Sequence, residues 1–229
     1  MKGVLLVDKP AGWTSFDVVN YVRKIVAQAE GVRPKQVKVG HTGTLDPFAT
    51  GLLVLLIGKE YTRRAGQLSK LDKTYEVTMR LGATSSTGDP EGEITAVSEI
   101  KPAKKAIEAA LKQFTGEIMQ TPPAFSAIKI DGQRAYKLAR AGKEVKIEPR
   151  KVTINRLELL EYSYPEVTFT ADVSSGTYIR SLVEDLGKAL GTGAYTCKLR
   201  RTINGSFNVA EASQIDKRPG LKIEDLLLT

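Results

Sequence analysis

The sequence predicts an α+β fold: a mixed, largely antiparallel sheet with helices packed against it. Three observations carry that expectation. Apolar residues recur with helical spacing in some stretches and alternate or run unbroken in others, and the two kinds follow one another without a regular βαβ rhythm. No self-similarity is found at solenoid periods. At 229 residues, 41% hydrophobic and 26% charged, the chain can bury a real core and has the balance of a folded globular protein.

The elements follow in order. Val4 to Asp8 reads as a buried strand. From Thr14 to Ala29 the residues Val18, Val19, Val22, Ile25, Val26 and Ala29 share a helical face, and Thr14 with Asp17 makes a capping-box start. A loop from Gly40 to Pro47 leads into a strand from Gly51 to Ile57, followed by a short polar helix from about Glu60 to Leu68. Tyr75, Val77, Met79 and Leu81 alternate with Glu76, Thr78 and Arg80, a half-buried strand ended by turns between Gly82 and Gly92. Pro102 fits the first position of a helix with Ile107, Leu111 and Phe114 on one side. Strands are expected from Val152 to Leu160 and Val167 to Val173, then a helix after Gly176 burying Ile179, Leu182, Val183, Leu186, Ala189 and Leu190. A basic strand, Ala194 to Arg201, and a polar tail end the chain.

Thirty-four Lys and Arg against 26 Asp and Glu give a net charge of +8, a surplus that favours a polyanionic partner such as nucleic acid. The single Cys197 excludes an internal disulfide, and one Cys with one His makes a zinc site unexpected. The apolar run after Met1 is too short for a signal segment, and Leu52 to Ile57 is too short to span a bilayer, so a cytoplasmic protein without membrane contact is expected. No coiled coil or broad apolar stripe is evident, which suggests a monomer.

Residues from about Gln120 to Lys151 differ in character. They open on Thr121-Pro122-Pro123, turn at Asp131-Gly132, and hold a short helix that Gly142 would stop. Between Lys129 and Lys151, eight basic and three acidic residues contribute +5 of the net +8. Arg134, Lys137, Arg140 and Lys143 recur every three residues, either as a solvated helix face or as an arm laid along a phosphate backbone. The concentration of charge in a Pro-bounded insertion favours the arm.

Several single residues invite a chemical reading. Pro47 biases Asp46 towards an extended backbone and limits where its carboxylate points, although Asp-Pro is also an ordinary turn dipeptide. Tyr75 opens its strand as a core ring with a hydroxyl at the rim, or as a platform for a nucleobase. Arg180 falls in the first turn of its helix, where the dipole disfavours a cation. It pairs either with Glu184 one turn on or with a carboxylate from elsewhere, for which Asp46 is a candidate. Lys198, Arg200 and Arg201 put charge on both faces of the last strand, as an edge strand tolerates or as RNA contacts require. No G-x-S-x-G elbow or P-loop is present.

Four separated segments resemble, in order, the motifs of the TruB family of bacterial tRNA pseudouridine-55 synthases. They are Gly3 to Pro10, Gly40 to Gly51, Lys73 to Val77 and Ser175 to Arg180. The resemblance implies a single catalytic domain of the pseudouridine-synthase fold over residues 1–229, with a thumb-like insertion at about 120–151. It implies isomerisation of uridine 55 in the T-loop of tRNA, with no cofactor and no metal. Asp46 would be the nucleophile, at ribose C1′ or, alternatively, at base C6. Arg180 would hold Asp46 ionised and aimed, and Tyr75 would stack on the extracted base. His41 would fill the space left by the flipped nucleotide, Tyr178 and Leu199 would line the uridine pocket, and Lys9 and Pro10 would brace the catalytic loop. Arg134, Lys137, Arg140, Lys143, Lys198, Arg200 and Arg201 would meet the RNA backbone of the T-arm. Too few residues follow Phe207 for the C-terminal RNA-binding domain of the PUA type that bacterial members usually carry. A tRNA-folding chaperone role beside or instead of catalysis, and a synthase acting on another RNA, are the alternatives.

Overall fold

The structure, a computed structural model, describes residues 1–126, 128–130, 132–143, 145–215 and 227–228. The chain begins β1 (Gly3–Lys9), α1 (Ser15–Ala29), a 3-10 turn (Pro34–Gln36), β2 (Val39–His41), β3 (Thr50–Ile57), α2 (Lys59–Thr62), α3 (Ala65–Leu68) and β4 (Lys73–Leu81). It continues through β5 (Ala83–Ser85), β6 (Ile94–Ala96), α4 (Lys104–Gln113), β7 (Gly116–Gln120), β8 (Lys129–Ile130), β9 (Gln133–Arg134) and α5 (Ala135–Arg140). The long strands β10 (Arg150–Ser163) and β11 (Glu166–Val173) follow, then α6 (Ile179–Ala189), β12 (Ala194–Asn204), β13 (Phe207–Asn208), β14 (Ser213–Gln214) and β15 (Leu227–Leu228). These elements form two compact units, Met1–Tyr75 with Leu199–Thr229, and Glu76–Lys198.

In the first unit, β1 and β3 pair antiparallel from Gly3 opposite Ile57 to Lys9 opposite Gly51. β14 runs parallel to β1 and β15 antiparallel to it, while β3 also carries β2 antiparallel and β12 parallel, with Arg201 opposite Gly51. The strand period sorts the apolar residues onto two faces. Leu5, Val7, Leu53, Leu55 and Ile57 pack with Val18, Val19, Val22 and Val26 of α1, whereas Val4, Leu6, Leu52, Val54 and Leu56 face Tyr61, Ala65, Leu68 and Phe207. Cover on both sides is why residues 52–57 show no polar alternation. All six are fully buried, each side chain contributing roughly 1.5–3 kcal/mol of burial. The capping box forms as read: Thr14 Oγ1 accepts from Asp17 N at 3.0 Å and Asp17 Oδ2 accepts from Thr14 N at 2.8 Å.

In the second unit, neighbouring strands follow the order β4-β11-β10-β7. β10 pairs antiparallel with β11 and with β7, and two register shifts bend the β10–β11 pair. Val77, Met79, Phe169, Ala171, Ile107, Leu111, Leu182, Val183 and Leu186 are buried there. The α+β class therefore holds, with parallel pairs set among antiparallel ones. Among the described residues no helix is long and apolar enough to cross a membrane.

Four local expectations are corrected. Pro102 is not the first residue of its helix: α4 starts at Lys104 with Ala103 as N-cap, and the Pro102 carbonyl accepts from Tyr162 Oη at 2.7 Å. The polar helix after β3 is two single turns, α2 and α3, separated at Arg63 and Arg64. The turns between Gly82 and Gly92 include β5, which pairs with β6, and β7 was not foreseen. β12 is not an edge strand, since it lies between β3 and β4. Asp131 of the expected Asp131-Gly132 turn and residues 216–220 of the polar tail lie outside the described residues.

Candidate active site

Asp46 sits half-buried in the loop between β2 and β3, and that loop is fixed by its main chain. The fully buried Lys9 Nζ donates to Pro47 O at 3.2 Å and also to Pro10 O and Trp13 O at 2.9 and 2.6 Å. Gly12 N reaches the same Pro47 carbonyl at 2.8 Å. Lys9 thus meets the loop at Pro47, and Pro10 meets Lys9. Ser15 Oγ accepts from Leu45 N at 2.8 Å and donates to Leu45 O at 3.0 Å. Asn204 Nδ2 donates to Thr42 Oγ1 at 3.0 Å, with both residues buried.

Arg201 corrects the expectation that it contacts RNA. It is 1% exposed and turned inward, its Nε donating to Leu52 O at 2.8 Å and its Nη2 to Gly43 O at 3.0 Å. Weak hydration and fixed donors suit a guanidinium to such a carbonyl cage. Gly51, at φ +96°, lets β3 pass so close to the Arg201 main chain that no Cβ fits between them. Arg200 faces the other way, its two nitrogens 2.9 and 2.7 Å from the Asp8 carboxylate. Lys73 Nζ donates to Ser69 O at 3.1 Å and to Leu71 O, and burial beside the Arg201 charge lowers its ammonium to about 8. Tyr75 and Leu199, each 7% exposed, are buried in the same unit.

His41 ends β2, and its Nδ1 accepts from Gly43 N at 3.3 Å, so the ring proton belongs on Nε2. Burial, and secondarily the Arg201 charge, hold its pKa below the usual 6.5. A histidine depressed in the folded state binds fewer protons than the unfolded chain, so stability rises with pH between the folded pKa and 6.5. As the chain's only histidine, His41 gives a single imidazole NMR titration. Its midpoint is expected below 6.5, and a midpoint above 6.5 would contradict the burial.

In the second unit, Arg180 is 4% exposed. Its Nη1 lies 3.3 Å from Asp89 Oδ2 and 2.8 Å from Thr87 O, and its Nη2 donates to Phe125 O at 2.8 Å. Asp89 thus puts one carboxylate beside this cation in the first helical turn. Its Oδ1 also accepts from Thr87 Oγ1 at 2.6 Å and Glu91 N at 3.0 Å. Glu184 packs against Gly88, and burial raises its carboxyl pKa, moderated by Lys188 and Arg180. Tyr178 caps α6, its main chain clamped by the buried Gln120, which accepts from Tyr178 N at 2.7 Å and donates to Tyr178 O at 3.0 Å. The Arg150 guanidinium carbon stands 5.1 Å from the Tyr178 ring centre. Arg134, Lys137, Arg140 and Lys143 are exposed on and around α5, and Gly142 ends that helix at φ +68°. Lys198 is exposed and paired with Glu166 at 3.1 Å.

The family model described as "TruB family pseudouridylate synthase (N terminal domain)" matches residues 30–179, and "tRNA pseudouridylate synthase B C-terminal domain" matches residues 180–217. The chain belongs to the TruB family. A Burkholderia lata protein named tRNA pseudouridine synthase B is 47% identical over 216 residues, 94% of this chain and 64% of its own length. A Pseudomonas fluorescens protein of the same name is 46% identical over 224 residues, 98% and 70% of the two chains. The chain therefore spans about two thirds of the length of these curated relatives. Among solved structures, "Crystal Structure of a Cbf5-Nop10-Gar1 Complex" matches at 31% identity and TM-score 0.71, over 93% of this chain and 52% of that one. "Structure of H/ACA RNP bound to a substrate RNA containing 2'-deoxyuridine" matches at 29% identity and TM-score 0.66, over 93% and 50%.

One feature of this TruB-family chain had no counterpart in the sequence reading. An open cleft of about 590 Å³ in the first unit is lined by Arg23, Lys24, Lys35 and Lys38 and by Gly40, next to His41, with no carboxylate among its lining residues. Arg23 is oriented there by Asn20 Oδ1 at 2.7 Å. Asp89, Ser15, Gln120 and Asn204 also escaped the sequence reading. Only Asp89 carried a signal, since Gly88-Asp89-Pro90 repeats the Asp-Pro dipeptide of the Asp46 loop.

Proposed function

We propose that the chain isomerises uridine 55 in the T-loop of tRNA to pseudouridine. The observation that carries this reading is TruB membership together with a loop pinned by its main chain on both sides of Asp46. The name borne by the Burkholderia and Pseudomonas relatives supports the substrate. Asp46 attacks ribose C1′ as the N1–C1′ bond breaks and its electron pair stays on N1; the base turns and bonds through C5, expelling the carboxylate, and the C5 proton is lost to solvent while N1 takes one up. Bonds, protons and electrons balance without an oxidant, so the isomerisation calls for no redox cofactor. Attack at base C6 is the alternative first step. Arg180 pairs with the Asp46 carboxylate, and Tyr75 stacks on the extracted base. Neutral His41 fills the space the nucleotide leaves, while Tyr178 and Leu199 line the pocket.

The test is tritium release from a T-arm hairpin labelled at uridine C5, with EDTA present, followed by mapping of the new pseudouridine. Release from the T-loop uridine supports the proposal. Tight binding without release from hairpin or full tRNA would sink it and favour a chaperone.

On this reading the chain is one catalytic domain acting as a cytoplasmic monomer. Residues from about 120 to 151 form a thumb whose exposed cations, with Lys198, Arg200 and the cationic cleft, follow the phosphate backbone. Neutralising Arg134, Lys137 and Arg140 together is expected to weaken hairpin binding and to reduce the slope of log K against log salt by about 2–3, as loss of three phosphate contacts requires. A slope unchanged from wild type would leave the arm as solvated surface.

A further inference from the structure

The loop carrying Asp46 is gripped at residues 42, 43, 45 and 47. Three of the grips come from side chains with no role in the proposed chemistry, and two of these, Ser15 and Arg201, act on the loop's main chain. Ser15, 2% exposed at the start of α1, meets both main-chain groups of Leu45 with a single hydroxyl. The Leu45 carbonyl belongs to the peptide plane joining Leu45 to Asp46, so this hydroxyl sets the plane from which the Asp46 backbone departs. Arg201 ties Gly43 to Leu52 across the mouth of the loop, through carbonyls 3.0 and 2.8 Å from its guanidinium. On the far side, Pro47 restricts Asp46 to extended backbone and its own carbonyl is tied to Lys9 and Gly12. With the main chain fixed before and after it, the Asp46 backbone keeps little freedom.

We infer that Ser15 and Arg201 are positioning residues for Asp46, acting through the main chain of Leu45 and Gly43 to aim its carboxylate at the reacting sugar. The inference rests on Asp46 being the reacting group, as proposed above. Attack requires the reacting atoms to be held about 3–3.5 Å apart and aligned, and a displacement near 1 Å costs on the order of 100-fold in rate. Neither residue needs to touch RNA, so the loss belongs in the chemical step. A residue that merely held α1 in place would instead lower melting temperature and affinity together.

The experiment is single-turnover tritium release from the T-arm hairpin by the full chain, with hairpin Kd and melting temperature measured alongside. Wild type, Ser15→Ala, Ser15→Thr and Arg201→Lys are compared, with Asp46→Asn as the blank. Ser15→Ala is expected to lose about 10- to 100-fold in the rate constant at saturating hairpin, with Kd within twofold of wild type. Ser15→Thr keeps the hydroxyl and should recover most of that loss. Arg201→Lys, whose ammonium can serve one of the two carbonyls, should show the same signature and stands in if Ser15→Ala does not fold. A folded Ser15→Ala within threefold of wild type overturns the inference. So does a loss confined to Kd, or an equal loss in the Ala and Thr variants. A wild type without release sinks the proposed function and takes this inference with it, whereas an active wild type with an undisturbed Ser15→Ala sinks the inference alone.

Discussion

Asp46→Asn is expected to abolish turnover and leave RNA binding within a few-fold of wild type. The carboxamide has nearly the carboxylate's shape and retains the short polar side chain that this Pro-preceding position accommodates. Lys9, Gly12 and Ser15 hold the loop through main-chain groups of Leu45 and Pro47, which the substitution does not touch. What is lost is the negative charge and, on the proposed mechanism, the nucleophilic oxygen. Removing a nucleophile that acts as part of a unit costs at least roughly four orders of magnitude in rate. Single-turnover tritium release read beside filter binding separates the two effects. Isomerisation by the Asn variant would remove Asp46 from the nucleophile's place.

Asp89→Ala is expected to destabilise the second unit more than any surface change. Asp89 and Arg180 face each other with 5% of each side chain exposed, 3.3 Å apart. Arg180 keeps its bonds to the Thr87 and Phe125 carbonyls, so removing Asp89 is expected to cost toward the low end of the range for a broken buried pair, about 3 kcal/mol. For a chain of this size that is a fall in melting temperature on the order of 10 °C. Asp89→Asn should fall less far, because its side-chain oxygen can still accept from Thr87 Oγ1 and Glu91 N. Thermal unfolding of the two variants tests this, and an Ala variant melting within 2–3 °C of wild type would show the pair to be dispensable to stability.

The parts of the fold legible in the sequence were those written in periodicity. The α1 face, the Thr14–Asp17 cap, the buried β3 and the alternating β4 each follow from residues within one element. The errors came where a distant partner decides. Nothing near Arg201 says that its guanidinium turns inward, because the carbonyls that receive it belong to Gly43 and Leu52. Spacing alone made it look like its neighbour Arg200, which does face outward to Asp8. Pro102 was placed too far into its helix because proline also suits the residues just before a cap. Asp46, Tyr75 and Arg180 stood out by their local sequence and took their roles from motif resemblance, whereas Ser15 and Asn204 act through long-range bonds that leave no local pattern.

The grip on the Asp46 loop has a consequence for how the first unit is assembled. Arg201 meets Gly43 across 158 positions of sequence and Asn204 meets Thr42 across 162. β1, α1 and β3 are close in sequence, whereas β12 joins β3 from across residues 76–198 of the chain. Contacts of such sequence separation form late and slowly. A chain stopped before β12 would retain Asp46 without the two side chains that hold Gly43 and Thr42.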